Sequence, residues 1–179
     1  MKRLLWIAAS LAVLLAAPAA FAQEAPGPAP ADPSFWSRVT VEVPAYTHHV
    51  PHDDEFNDRN TGLFVDYALT PSWSLVGGDF ENSYRRNTAF AAVSWEPLTA
   101  HVAGLRLAAG GMVGLDLNGG YRGFNEAEPL LGAVNLRLTA ANPDADALHR
   151  LGLLLTVIPA APGGGGATAF NLAVTYRLP

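Results

Sequence analysis

Strict two-residue alternation of apolar and other side chains recurs along this chain, and it constrains the fold more than any other feature. In the last stretch Phe170, Leu172, Val174, Tyr176 and Leu178 share one face, with Ala169, Asn171, Ala173, Thr175 and Arg177 on the other. Successive side chains of a strand point to opposite sides of a sheet, so the pattern predicts a strand with one apolar face. The same period runs through Leu151, Leu153, Leu155 and Val157, through Val134, Leu136 and Leu138, and through Val39, Val41 and Val43. It is longest from Leu105 to Leu117, where the opposite face carries Arg106, Ala108, Gly110, Met112, Gly114 and Asp116. With the stretches near Gly62–Leu69, Trp73–Glu81 and Ala89–Glu96, about eight strands are expected, an even number. No amphipathic helical pattern of comparable strength competes.

The other end of the chain fixes the compartment. Lys2 and Arg3 precede an apolar run from Leu4 to about Ala17, and Ala20-Phe21-Ala22 supplies a small-x-small cleavage site. This reads as a secretory signal peptide over residues 1–22, too short in its apolar core to be preferred as a membrane span. Residues 23–34, rich in proline and alanine, read as a flexible periplasmic lead-in. The folded domain is expected over 35–179, within the size of one domain. Ser34-Phe35-Trp36-Ser37 could begin it as a short helical segment with its aromatics at a membrane interface.

An exported chain with long strands and apolar faces fits an eight-stranded antiparallel transmembrane β-barrel, in which closure satisfies every backbone donor and acceptor. A soluble β-sandwich fits less well, because the longest strands exceed those a sandwich uses. The chain has no cysteine, so strand pairing and burial must stabilise it. Losing Lys2 and Arg3 with the leader makes the formal net charge of −5 more negative still, which argues against nucleic acid as a partner. Thr70-Pro71-Ser72, Pro97-Leu98-Thr99-Ala100 and Asn142-Pro143-Asp144 read as short connections, whereas His49–Thr61 and Asn118–Pro129 are long. In outer-membrane barrels short turns are periplasmic and long loops external, which places His49 and Ser83 together on external loops.

Histidine and serine on neighbouring loops point to acyl chemistry, since imidazole can take the hydroxyl proton as oxygen attacks an ester. Asn82 could orient a carbonyl or donate to an oxyanion; it could equally cap a turn. Arg59, Arg85 and Arg86 at the same end could grip phosphate or be ordinary loop charges. His48, His49, His52, Asp53, Asp54 and Glu55 are dense in possible ligands but match no zinc spacing, so a solvated acidic loop is expected and no metal. Pro44, inside the first strand, and Pro129, at the entrance to the sixth, remove ladder hydrogen bonds. Either they mark strand ends or they open lateral gaps for a lipid chain.

These residues resemble the outer-membrane lipid A palmitoyltransferases of the PagP type. Pro44-Ala45-Tyr46-Thr47-His48-His49 is similar to that family's Pro-Ala-Ile-Thr-Trp-His. Phe56-Asn57-Asp58-Arg59-Asn60-Thr61-Gly62 resembles its Tyr-Asn-Glu-Arg-x-x-Gly, and Phe80-Glu81-Asn82-Ser83-Tyr84 its Phe-Lys-Asp-Ser-Trp. Ser94-Trp95-Glu96 echoes its Gly-Trp-Glu. The resemblance implies a phospholipid acyl donor, a lipid A acceptor and no cofactor, in a monomer that acts in the outer leaflet of the outer membrane. It places the essential histidine on His49 and the serine on Ser83, with Asn82 where the family has aspartate. Ser94 replaces the glycine at the floor of the family's acyl pocket, which implies a shorter transferred chain. Covalent and direct transfer both remain open. A lipid A deacylase and a non-enzymatic structural barrel are the alternatives.

Overall fold

A computed structural model describes residues 34–121, 129–160 and 167–179 of the chain. The segments expected to be a signal peptide (1–22) and, but for Ser34, a lead-in (23–34) lie outside the described residues. The eight strands are β1 (Val39–Val50), β2 (Gly62–Ala68), β3 (Trp73–Glu81), β4 (Asn87–Val102), β5 (Leu105–Asp116), β6 (Leu130–Ala140), β7 (Leu151–Ile158) and β8 (Thr168–Arg177). They form a closed barrel in sequence order, every neighbouring pair antiparallel, with β8 returning to β1. Closure leaves no edge strand, as expected of a barrel rather than a sandwich.

The alternation maps onto the barrel wall. Leu63, Val65, Leu75, Val93, Val113, Leu136, Leu153, Leu172 and Val174 face outward and are exposed. Between them, inward residues are mostly polar: Glu42, Thr47, Asp66, Ser94, Asn135, Arg137, Thr156 and Thr175 are all buried. The barrel is thus inverted, with an apolar exterior and a polar lumen that an eight-stranded wall is just wide enough to fill with side chains.

Two expectations change. Pro97–Ala100 is not a connection: β4 runs sixteen residues through it, and the turn falls at Ala103 and Gly104, both at positive φ. The register with β5 shifts between Trp95 and Leu98, and this bulge absorbs the proline, which has no N–H for the ladder. The N-terminal helical segment reduces to a single 3-10 turn, Trp36–Arg38.

Connections after β1, β3, β5 and β7 define one rim of the barrel; those after β2, β4 and β6, with both chain ends, define the other. The first is called here the upper rim. Down β4 the inward column reads Thr88, Phe90, Ala92, Ser94 and Glu96, each buried. An apolar layer of Val76, Phe90 and Ala92, with Phe64, Phe80, Met112 and Leu131 packed against it, lies beneath that rim. Phe64, Phe80 and Phe90 meet edge to face, with ring centroids 5.1 to 5.8 Å apart.

Below it the lumen turns polar. Asn135 Nδ2 donates to Ser94 Oγ at 3.2 Å, and Thr156 Oγ1 donates to Asn135 Oδ1 at 3.3 Å. Arg137 then binds Glu42 at 2.9 Å, Asp66 at 2.8 Å and Glu96 at 3.1 Å. These partners come from β1, β2 and β4, so one guanidinium from β6 ties together strands on other sides of the lumen. Its planar fork of donors suits several carboxylates at once.

Candidate active site

At the upper rim, alternation along β1 separates two consecutive histidines: His48 points outward and is exposed, while His49 is 1% exposed. His48 stacks on His52 outside the wall, at a 6.4 Å centroid distance. His49 turns inward, where its Nε2 lies 2.7 Å from Ser83 Oγ and its Nδ1 lies 2.8 Å from Asp58 Oδ1. Serine, imidazole and carboxylate are therefore in line, with the imidazole bonded on both nitrogens. A carboxylate on Nδ1 keeps the proton there, leaving the Nε2 lone pair directed at the hydroxyl.

The local sequence builds each part. Asp58 is carried by the 51–61 loop, which folds back over β1: the Thr47 N–H donates to the Asp58 carbonyl at 2.9 Å. Asn57 clamps the same loop to the serine. Its N–H donates to the Ser83 carbonyl at 2.8 Å, and its Nδ2 donates to Glu81 Oε1 at 3.1 Å and to the Arg59 carbonyl at 3.2 Å. Phe56 stacks on His49 at 4.8 Å and meets Tyr84 edge-on at 5.7 Å. Rings thus cover the imidazole and limit its motion.

Asn82 organises the turn that presents Ser83. Its Oδ1 accepts from the N–H groups of Tyr84 and Arg86, at 2.9 and 3.1 Å, and its Nδ2 donates to Thr88 Oγ1 and to the Gly120 carbonyl, at 3.0 and 2.9 Å. Completely buried, it uses both halves of the amide in these bonds, none of them to His49. They are the bonds of a turn cap. Arg85 takes a left-handed φ of 58° to close the turn. Gly120 is held in place by Asp116, which accepts N–H groups from Asn118, Gly119, Gly120 and Tyr121. A Cβ on Gly120 would run into Thr88 Oγ1, so glycine is required for this approach. Burial raises the phenol pKa values of Tyr84 and Tyr121 above the ordinary tyrosine range, keeping both rings neutral donors beside the site.

Arg59, Arg85 and Arg86 all stand exposed on this rim. Ser94 lies well below it, 1% exposed, in the polar layer with Asn135. Pro44 sits at a register shift in β1, and the β1–β2 ladder ends just before it, at Glu42 opposite Phe64. Pro129 immediately precedes β6, whose ladder with β7 begins only at Val134. Both prolines therefore flank interruptions of the wall in its upper half.

Sequence reasoning brought His49 and Ser83 together but gave Asp58 and Asn57 no role. The signal available was their place in the Phe56–Gly62 segment. In comparisons with known proteins, the chain matches no family model and no curated protein.

Proposed function

We propose that this protein is an outer-membrane acyltransferase that moves a fatty acyl chain from a phospholipid to a hydroxyl of lipid A. The observation that carries the reading is the alignment of Ser83, His49 and Asp58 on a barrel rim, with 2.7 and 2.8 Å between successive partners. The apolar exterior suits a bilayer, and the leader-like residues 1–22 suit export. The resemblance of the Pro44–Glu96 segments to lipid A palmitoyltransferases supports transfer as the reaction.

In this mechanism His49 Nε2 takes the Ser83 proton as Oγ attacks the donor ester carbonyl. The tetrahedral intermediate collapses, the lysophospholipid oxygen leaves with that proton, and the acyl group stays on Ser83. His49 then deprotonates the lipid A hydroxyl, which attacks the acyl-serine and regenerates the free hydroxyl. Asp58 stabilises the imidazolium formed in each half. Arg59, Arg85 and Arg86 supply charge for lipid phosphates at the rim, and the interruptions beside Pro44 and Pro129 admit lipid from the side. No cofactor or metal takes part, and a single barrel contains the whole site.

A second reading, lipid A deacylation with water as acceptor, draws on the same observation, because a complete triad also suits hydrolysis. Mass spectrometry of lipid A from cells expressing the wild type, Ser83→Ala or His49→Ala separates the two. Transfer adds one acyl chain in the wild type alone; deacylation removes one; an unchanged spectrum from folded protein favours a structural barrel.

A further inference from the structure

The oxyanion that forms when Ser83 attacks an ester needs donors, and Asn82 has none left, since its Nδ2 is used by Thr88 and the Gly120 carbonyl. Two other groups beside the nucleophile are open. In the turn that carries Ser83, the N–H of Asn82 donates to the Arg86 carbonyl, that of Arg85 to the Asn82 carbonyl, and those of Tyr84 and Arg86 to Asn82 Oδ1. The Ser83 N–H alone in residues 82–86 has no partner among the described residues, although Ser83 is only 9% exposed and buried N–H groups are almost always paired.

The second group is the amide of Asn60. The Glu81 N–H donates to the Thr61 carbonyl at 2.8 Å, which carries the β2–β3 ladder one pair beyond Gly62 and Phe80 and sets Asn60 opposite Asn82, next to Ser83. The Asn57 N–H on the Ser83 carbonyl holds the same loop from its other side. Exposure alternates along this segment: Arg59, Thr61 and Leu63 are exposed, whereas Asn60 is 6% exposed and shares the inward side with Gly62 and Phe64. The Thr61 N–H returns to the Arg59 carbonyl at 2.9 Å and fixes the backbone about Asn60. Its side chain makes no hydrogen bond among the described residues: Oδ1 is shut away without a donor, and Nδ2 is left to donate. A buried amide without partners lowers stability, which is typical of groups poised for a reacting atom.

We propose that the Ser83 N–H and Asn60 Nδ2 form the oxyanion hole of this site. The proposal rests on the acyl-transfer reading of Ser83. As Oγ bonds to the ester carbon, the carbonyl π pair moves onto oxygen and the hydroxyl proton passes to His49 Nε2; both donors then bond to the oxyanion. Collapse re-forms the C=O bond and breaks the bond to the lysophospholipid oxygen, which leaves with the proton from His49. The same two donors serve again when the lipid A hydroxyl attacks the acyl-serine. Donors aimed where charge develops act on the transition state more than on the bound ester, so their loss appears in kcat.

The test measures transfer by the purified full chain in detergent micelles, with a ¹³C-acyl phospholipid as donor and lipid A as acceptor. It compares the wild type with Asn60→Ala and with Asn60→Leu, which keeps the side-chain volume should the alanine variant fail to fold. In both variants kcat is expected to fall by about 10²–10³ with KM changed less than about threefold, while the urea unfolding midpoint stays level or rises. A kcat within about threefold of the wild type, a change confined to KM, or a loss of turnover that tracks a lowered midpoint in both variants would overturn the oxyanion role and leave acyl transfer standing. Chains released by the wild type as free fatty acid, with the same fall in kcat in the variants, would uphold the oxyanion hole and remove the transfer reading. Neither transfer nor release by folded wild type would overturn both.

Discussion

Replacing Asp58 by asparagine keeps the size and planarity of the side chain but changes which proton His49 carries. In the native arrangement the carboxylate accepts from Nδ1–H at 2.8 Å, and the Nε2 lone pair faces Ser83 Oγ at 2.7 Å. An asparagine amide can instead donate to Nδ1, moving the ring proton to Nε2, where it points at the serine and cannot receive another. The imidazolium formed during attack also loses its counter-charge. The corresponding change in hydrolases with this arrangement costs about 10⁴ in turnover, so a loss between about 10² and 10⁴ is expected, equivalent to about 3–5 kcal/mol of transition-state stabilisation. Asp58 keeps 25% side-chain exposure, which favours the smaller end because water screens part of its charge. The assay is initial-rate transfer from a labelled phospholipid, with urea unfolding in detergent confirming that the variant is folded. A loss below about threefold in folded Asp58→Asn, beside complete loss in His49→Ala, would refute the role assigned to the carboxylate.

Further outcomes follow from the same geometry. Asn82→Asp, which would restore the acid of the resembling family, is expected to reduce both stability and turnover, because a carboxylate cannot donate to the Gly120 carbonyl; the lost buried donor costs about 1–3 kcal/mol, read by urea unfolding. Unchanged stability with raised turnover would contradict the turn-cap role. Asn57→Ala keeps the backbone bond to Ser83 but loses the side-chain bonds to Glu81 and Arg59 that hold the Asp58 loop, and should lower turnover more than stability; comparison of kcat with the unfolding midpoint checks this. Arg137→Met strands three buried carboxylates and should destabilise the barrel by about 3–5 kcal/mol, with recovery when Glu42→Gln, Asp66→Asn and Glu96→Gln are added; an unchanged unfolding midpoint in the single variant would refute it.

The wall of the barrel was legible because a strand repeats every two residues, and the chain keeps that period nearly unbroken through β5 and β8. Prolines obscured the rest. Pro44 and Pro97 look like breaks, yet β1 and β4 pass through them by shifting register, which depends on what the neighbouring strand can accept. The serine and histidine were readable from topology, since consecutive upper loops must lie side by side. Asp58 was not, because it is one of four acids in the 51–61 loop, beside Asp53, Asp54 and Glu55. Only the folded loop, with the Thr47 N–H on the Asp58 carbonyl, selects among them. Asn82 read equally as an oxyanion donor or a turn cap until its four partners appeared, one of which, the Gly120 carbonyl, requires a donor. The lumen cluster was half visible: Arg137 and Glu42 lie on inward faces by period alone, but their contact across the barrel depends on closure and register.

A phospholipid with ¹³C-labelled acyl chains, incubated with the purified protein and lipid A, tests the central assignment most directly. Acyl transfer at Ser83 predicts that the label appears on lipid A with the wild type and remains in the phospholipid with Ser83→Ala. Label released as free fatty acid, or transfer that persists in Ser83→Ala, would contradict it.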